Sequence, residues 1–530
     1  MLDYLIRGAQ VLDGTGAPAF SADVGIEGGM IAAVGHLDGA RAAHTLEAAG
    51  RTLTPGFLDI HRHTDAALFR PHFGEAELAQ GLTTLVGGNC GLSLAPLFGV
   101  HAPEVRDYLA PIVGAFGNEL CFPSLADYFA AAECTPQLVN NAMLIGMGTL
   151  RALTAGFDDV PLSDEQYRRL HRLLECALAD GAAGVSLGLG YAPECFYTTD
   201  GLIRALAPLR GGSIPVTVHM RQEGDGVVDA LREMLAVARA LRCPVEISHL
   251  KGIGRSNWGH AVPEMLQLIA RAREDGLDVT CDVYPYSAGS TQLIHVLPPE
   301  FQKGGLDALT AALRDGSVRA TMRERMETGS DFENITHLVG FENVVPISLH
   351  TDEYRAFEGK SLAEIAGMLG KDPFDALFDL LAAEHCEAGM IDFIAAEEDI
   401  EAILCAPFSV PISDATYPVE GLCHPRVYGS AARFLSRYVR ERKLLTLPQA
   451  VHKLTMQSAD RLGLRRKGRI AVGADADLCL FSLENIRENG TYTAPRRLAK
   501  GMDAVFVGGV PSLIGGEFTG EMCGAMLRRA

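Results

Sequence analysis

A single pattern, repeated along the middle of this chain, constrains its fold more than any other feature: a short apolar run, a loop, then an amphipathic stretch. Runs rich in Val, Ile and Leu without polar alternation read as strands buried on both faces, and the amphipathic stretches read as the helices that cover them. Eight such runs stand out: Gly56–Ile60, Thr83–Val86, Ala142–Ile145, Gly184–Leu187, Val216–His219, Val245–Ser248, Val279–Val283 and the segment ending at Asp414. Eight parallel strands joined by helical crossovers predict an α/β chain closed into a (β/α)8 barrel of the TIM type.

The two ends of the chain read differently. Tyr4–Arg7, Val24–Glu27 and Ile31–Val34 are short strand candidates broken by DGTGAP and EGG, and DADLCLF and MDAVFVGG repeat that character near the other end. They predict one small β-sandwich domain built from residues 1–54 and 467–530, with the barrel, residues 55–466, inserted into it. An excursion from about Gly289 to Leu349 fits neither pattern. At the carboxyl end of a barrel strand, its length predicts a lid.

Charge narrows the function classes. The chain carries 66 acidic against 46 basic residues, a formal net charge of −20, which repels phosphate backbones and argues against nucleic acid or anionic lipid as partners. Twelve scattered cysteines in a 530-residue chain form no disulfide framework and read as reduced thiols of a cytoplasmic protein, most of them buried. The first residues, MLDYLIRGAQ, lack the basic stretch and apolar run of a signal peptide, and no stretch reads as a membrane span.

The candidate chemistry lies at strand ends. His61 and His63 follow the first strand two residues apart, so both side chains point to one side and can grip one ion. Cys90, in GGNCG, follows the second strand; on its own it also reads as a buried structural thiol. His219 and His249 close two successive strand runs, and Asp414 follows Val-Pro-Ile-Ser at the last. In a barrel these six converge on one rim and offer nitrogen, sulfur and oxygen donors suited to zinc.

Beyond the single residues, LTPGFLDIHRHTD, QGLTTLVGGNCGLSLAPL, VTVHMRQEG, VEISHLKGIGRSNWG, DVYPYSAGST, HPRVYGS and KGRIAVGADADLCLF together resemble the D-aminoacylase (N-acyl-D-amino-acid deacylase) family of the amidohydrolase superfamily, nearly end to end. HxH is common to the superfamily; GNCG, SHLK followed by NWG, and DVYPY are the specific signals. The resemblance implies a tight zinc on Cys90, His219 and His249, and a second, weaker site on His61, His63 and Asp414. It also implies a clamp for the substrate's α-carboxylate at Lys251, Tyr284 and Arg426, with Ser290 beside them. Read without the family, these are a solvated lysine, a packed tyrosine and an arginine pairing a local acid. Ala415 and Thr416 follow Asp414 where relatives usually have a glycine, a departure that touches the pocket wall.

The implied reaction is hydrolysis of a small-molecule N-acyl-D-amino acid, with Asp414 as the proton shuttle. Other readings are a dipeptidase acting on peptides with a C-terminal D-residue, a cyclic-amide hydrolase of the hydantoinase or dihydroorotase kind, and a non-catalytic oligomeric homologue. The loop Ser287–Pro298 has no lysine or arginine, and its Leu293, Ile294, Val296 and Leu297 predict a neutral, partly apolar pocket for the substrate side chain. The competing expectation is that Arg319, Arg323 or Arg325 folds over from the excursion and supplies a cation.

Overall fold

The computed structural model describes residues 1–114, 116–329 and 331–529. Eight parallel strands form the central sheet: β1 (Phe57–Asp59), β2 (Leu82–Gly87), β3 (Asn140–Gly146), β4 (Gly184–Gly188), β5 (Val216–His219), β6 (Val245–Ile247), β7 (Val279–Val283) and β8 (Ser409–Pro411). Their order in space is their order in sequence. Closure comes just past β1 and β8, where Arg62 and Ala415 form a parallel bridge: the Asp414 amide donates to the His61 carbonyl (2.9 Å) and the His63 amide to the Ala415 carbonyl (3.0 Å). The eight expected strands are all present, and nearly every strand residue is buried, as a sheet packed on both faces requires.

Helices cover the barrel by the periodicity seen in the sequence. In Val227–Leu241 the buried positions are Val227, Ala230, Leu231, Met234, Leu235, Val237, Ala238 and Leu241, a stripe of the 3.6-residue period. Asp164–Asp180 starts at a capping box between Ser163 and Gln166 and stops at Gly181, whose φ of 111° suits a residue without Cβ.

The chain ends meet in a separate sheet. Thr52–Pro55 lies between Leu2–Val11 and Leu478–Phe481, so strands from both ends share one ladder. Around it Ile6, Val24, Leu53, Leu478 and Phe506 enclose a second apolar core. The last strand, Met526–Leu527, leaves this sheet and pairs with β3.

The excursion after β7 runs farther than residues 289–349. Its strands Ala288–Gln292, Val344–Ile347 and Gly389–Phe393 form an antiparallel sheet of their own, with Gly389–Phe393 in the middle. The sheet joins segments about a hundred residues apart, a separation that local periodicity does not reveal. Of the twelve cysteines, all free, six are buried rather than most of them. Among the described residues no helix is long and apolar enough to cross a membrane.

Candidate metal centre and anion clamp

At the carboxyl end of the barrel the strand-end residues meet. His61, Cys90, His249 and Asp414 each present a ligand atom within 4.8 Å of the others, and all four are buried. Cys90 Sγ stands between His61 Nε2 at 3.2 Å and His249 Nε2 at 3.6 Å. His219 joins through His249, its Nδ1 3.1 Å from His249 Nε2. His63 joins through Asp414, its Nε2 3.3 Å from Oδ1, while His61 Nε2 lies 3.4 Å from the same oxygen. The six expected donors therefore occupy one continuous cluster, with the thiol at its centre.

The backbone bends to bring them there. Cys90 (φ 54°), His249 (φ 35°) and Asp414 (φ 53°) all adopt the left-handed conformation that side chains other than glycine's disfavour. Such strain persists where the surroundings over-determine a geometry, and here it turns three donors inward off their strand ends.

Electrostatics shows what the cluster attracts. Burial alone would push the Cys90 thiol up, yet His61, His219 and His249 hold it well below its ordinary range. Against burial, Arg426 and the imidazoles of His63, His61 and His249 hold the Asp414 carboxyl well below its own. His61, though buried, is raised well above the usual imidazole range by Cys90 and Asp282. Thiolate, carboxylate and imidazoles packed away from water attract positive charge to their centre, and the N/S/O donor set fits zinc.

Outer partners orient the ligands. Asp282 Oδ2 lies 3.3 Å from His61 Nδ1, leaving Nε2 to face the cluster. Glu223, 2% exposed, pairs with His249, its Oε1 2.9 Å from Nδ1, while the Lys251 ammonium lies 2.9 Å from the same nitrogen. The Lys251 ammonium is then held by Glu223 Oε2 at 2.7 Å and by the His249 carbonyl at 3.0 Å. Sequence reasoning missed Glu223, which sits in a loop four residues after His219; its place within VTVHMRQEG was the only signal. His63 Nδ1 and Glu223 Oε1 are both buried without a hydrogen-bond partner.

Beside the donors stands a cationic pair. The Arg426 guanidinium lies 4.9 Å and the Lys251 ammonium 5.8 Å from the centre of the Tyr284 ring, which they flank. Arg426 Nη2 donates to the Ser290 carbonyl at 2.9 Å, so Ser290 meets the group through its backbone. Arg426 Nη1 lies 2.9 Å from Asp414 Oδ2, and its Nε has no hydrogen-bond partner. Tyr191 stacks between His219 and His295, 4.3 Å from each ring centre. Burial, helped by His219, drives His295 down to about 3, so that ring is neutral. Arg319 pairs with Asp379, Arg323 with Glu327 and Asp372, and Arg325 with Glu300 and Asp331; none of the three supplies a free cation to the site. Leu293, Ile294 and Val296 pack into the main core, while His295 and Leu297 border a small cavity of about 150 Å³.

The chain is similar to known proteins along its whole length. It is 33% identical to the D-aminoacylase of Alcaligenes xylosoxydans xylosoxydans over 99% of this chain and 98% of that one. It is 36% identical to the N-acyl-D-glutamate deacylase of the same organism, over 96% and 93%. The crystal structure of N-acyl-D-glutamate deacylase from Bordetella bronchiseptica, complexed with zinc and a phosphonate mimic of the tetrahedral intermediate, superposes with a TM-score of 0.84 at 31% identity, covering 99% of both chains. Residues 44–512 match the amidohydrolase family, from the terminal sheet through the barrel and back, and to that family this chain belongs.

Proposed function

We propose that this protein hydrolyses the amide bond of N-acyl-D-amino acids, releasing a carboxylate and a free D-amino acid, with zinc as its metal. The observation that carries the reading is the buried cluster of His61, Cys90, His249 and Asp414 set directly against the Arg426–Tyr284–Lys251 cations. The relatives' activities supply the substrate class.

Cys90, His219 and His249 would hold one ion tightly, and His61, His63 and Asp414 a second, weaker one. The thiolate and the Glu223-backed His249 favour the first site; the unpartnered Nδ1 of His63 disfavours the second. Bound there, zinc supplies Lewis-acid polarisation of the scissile carbonyl and acidifies water. The chain's own residues do the rest. Two cations and a phenol bind the α-carboxylate. Asp414, held ionised, takes a proton from the water that attacks the carbonyl and returns it to the departing nitrogen. In the free enzyme Arg426 pairs with Asp414; once it shares its charge with a substrate carboxylate, Asp414 becomes the stronger base.

A neutral or apolar substrate side chain suits the surroundings, since His295 is neutral and Arg319, Arg323 and Arg325 are paired elsewhere. Twelve free thiols accord with a cytoplasmic location. The test is amine release by zinc-loaded protein from N-acetyl-D-leucine and its L-enantiomer. Release from D alone is expected; equal rates, or none on any N-acyl-D-amino acid, overturn the proposal.

A further inference from the structure

Separate from the catalytic cluster, a cavity of about 330 Å³ opens between the loop after β1, the segment after Asp414 and the returning terminal domain. Arg70, His72 and Glu75 line it from the first, Tyr417 and Tyr428 from the second, and Arg496 from the third. In a chain with twenty more acids than bases, most arginines here pair with a carboxylate. Arg70 and Arg496 do not: among the described residues neither has an acid within ion-pair distance. Arg70 Nη1 donates to the Tyr417 carbonyl at 2.8 Å, and its Nη2 is buried with no hydrogen-bond partner. Arg496 reaches the Pro418 and Gly421 carbonyls at 3.2 Å and the Tyr428 hydroxyl at 3.4 Å. The acids nearby are engaged: Glu75 with His72, and Glu77 with Arg62 and the Tyr417 hydroxyl.

Two guanidiniums bordering one cavity, each satisfied only by neutral oxygens, leave positive charge without a counter-ion, and charge-assisted hydrogen bonds to an oxyanion are the strongest use of such donors. We propose that this cavity is a binding site for a small oxyanion of the carboxylate or phosphate class, held by Arg70 and Arg496. Its wall, Thr416 to Val419, also borders a larger cavity that reaches Ser290, and begins two residues after Asp414. An anion drawing Arg70 away from the Tyr417 carbonyl therefore acts on the segment that carries the proton shuttle.

The test is calorimetric titration of the zinc-loaded protein with inorganic phosphate and, separately, with acetate. Wild type should show a saturable event with one or both ions. Arg70→Gln should weaken that event by about tenfold or more, while Arg70→Lys retains more of it, because the lost contact is a charged hydrogen bond. Phosphate binding alone identifies the phosphate class, and matching acetate binding the carboxylate class. Binding at the Arg426 clamp is recognised by its indifference to Arg70→Gln. Zinc content and the circular dichroism spectrum establish that the variants fold; if Arg70→Gln does not, Arg496→Gln is read in its place. No saturable event, or one equal in wild type and in a folded Arg70→Gln, overturns the proposal. Amide turnover is not the readout, so failure here leaves the hydrolase reading untouched.

Discussion

Replacing Glu223 by glutamine is the most informative single change, because one carboxylate there pairs with both the proposed metal ligand His249 and the proposed clamp residue Lys251. Its oxygens lie 2.9 Å from His249 Nδ1 and 2.7 Å from Lys251 Nζ, and it is 2% exposed. Against burial, His219, Lys251 and His249 hold it far below the normal carboxyl range, so it is fully ionised at neutral pH. Glutamine keeps the shape but turns an amide dipole, without charge, toward a buried ammonium and the His249 ring. Breaking a buried pair in this way costs about 3–5 kcal/mol, part of it recovered if Lys251 gives up its proton. Lys251 moves in that direction, since it is Glu223 that keeps it protonated against burial. Loss of an outer partner of a metal-bound histidine typically weakens metal affinity or activity by about 10–100-fold. Competition with a chromogenic chelator measures the first and amine release the second. Glu333→Gln is the comparison: among the described residues Glu333 Oε2 accepts from the Glu223 amide, 2.8 Å away, and touches neither His249 nor Lys251 within ion-pair distance. Zinc affinity and kcat/KM both within twofold of wild type in Glu223→Gln would refute the reasoning.

Cys90→Ser should lose zinc and activity together, since an alcohol binds zinc poorly, whereas Cys243→Ser, whose buried thiol is pushed up to about 11, should keep both; elemental analysis beside a rate assay decides. Asp414→Asn should fold and retain its tight zinc but fall by about 10²–10⁴-fold in kcat, and a loss under tenfold would remove Asp414 from proton transfer. In kcat/KM, N-acetyl-D-leucine should exceed N-acetyl-D-glutamate, because no unpaired cation faces the site from Arg319, Arg323 or Arg325; the reverse order would mean that a cation reaches the side chain.

Strand ends were legible because a buried parallel strand must be apolar to its last residue, so that His219 or His249 at the close of such a run is conspicuous. Cys90 and Asp414 were legible as residues, but their left-handed backbone, which sets where they point, leaves no mark in apolar periodicity. Glu223 escaped notice because a loop acid has no periodic partner; its role appears only when β5 and β6 bring His249 beside it. The excursion was recognised but cut short at Leu349, since its middle strand, Gly389–Phe393, pairs with partners far back in the chain.

The seam where the barrel closes bears on biosynthesis. Asp414 and His61 meet across hydrogen bonds between the first strand and the last, so the centre is not complete until some four hundred residues have left the ribosome and the ring has shut. A nascent or truncated chain carries Cys90, His219 and His249 but lacks the carboxylate at the join. A metal held by His61, His63 and Asp414 would favour the closed ring over every open one, adding to the Arg62–Ser413 and Ser413–Asp59 hydrogen bonds that already join its edges. Occupying the His61–His63–Asp414 side with excess metal should therefore raise the temperature at which the barrel opens above that of protein holding a single ion.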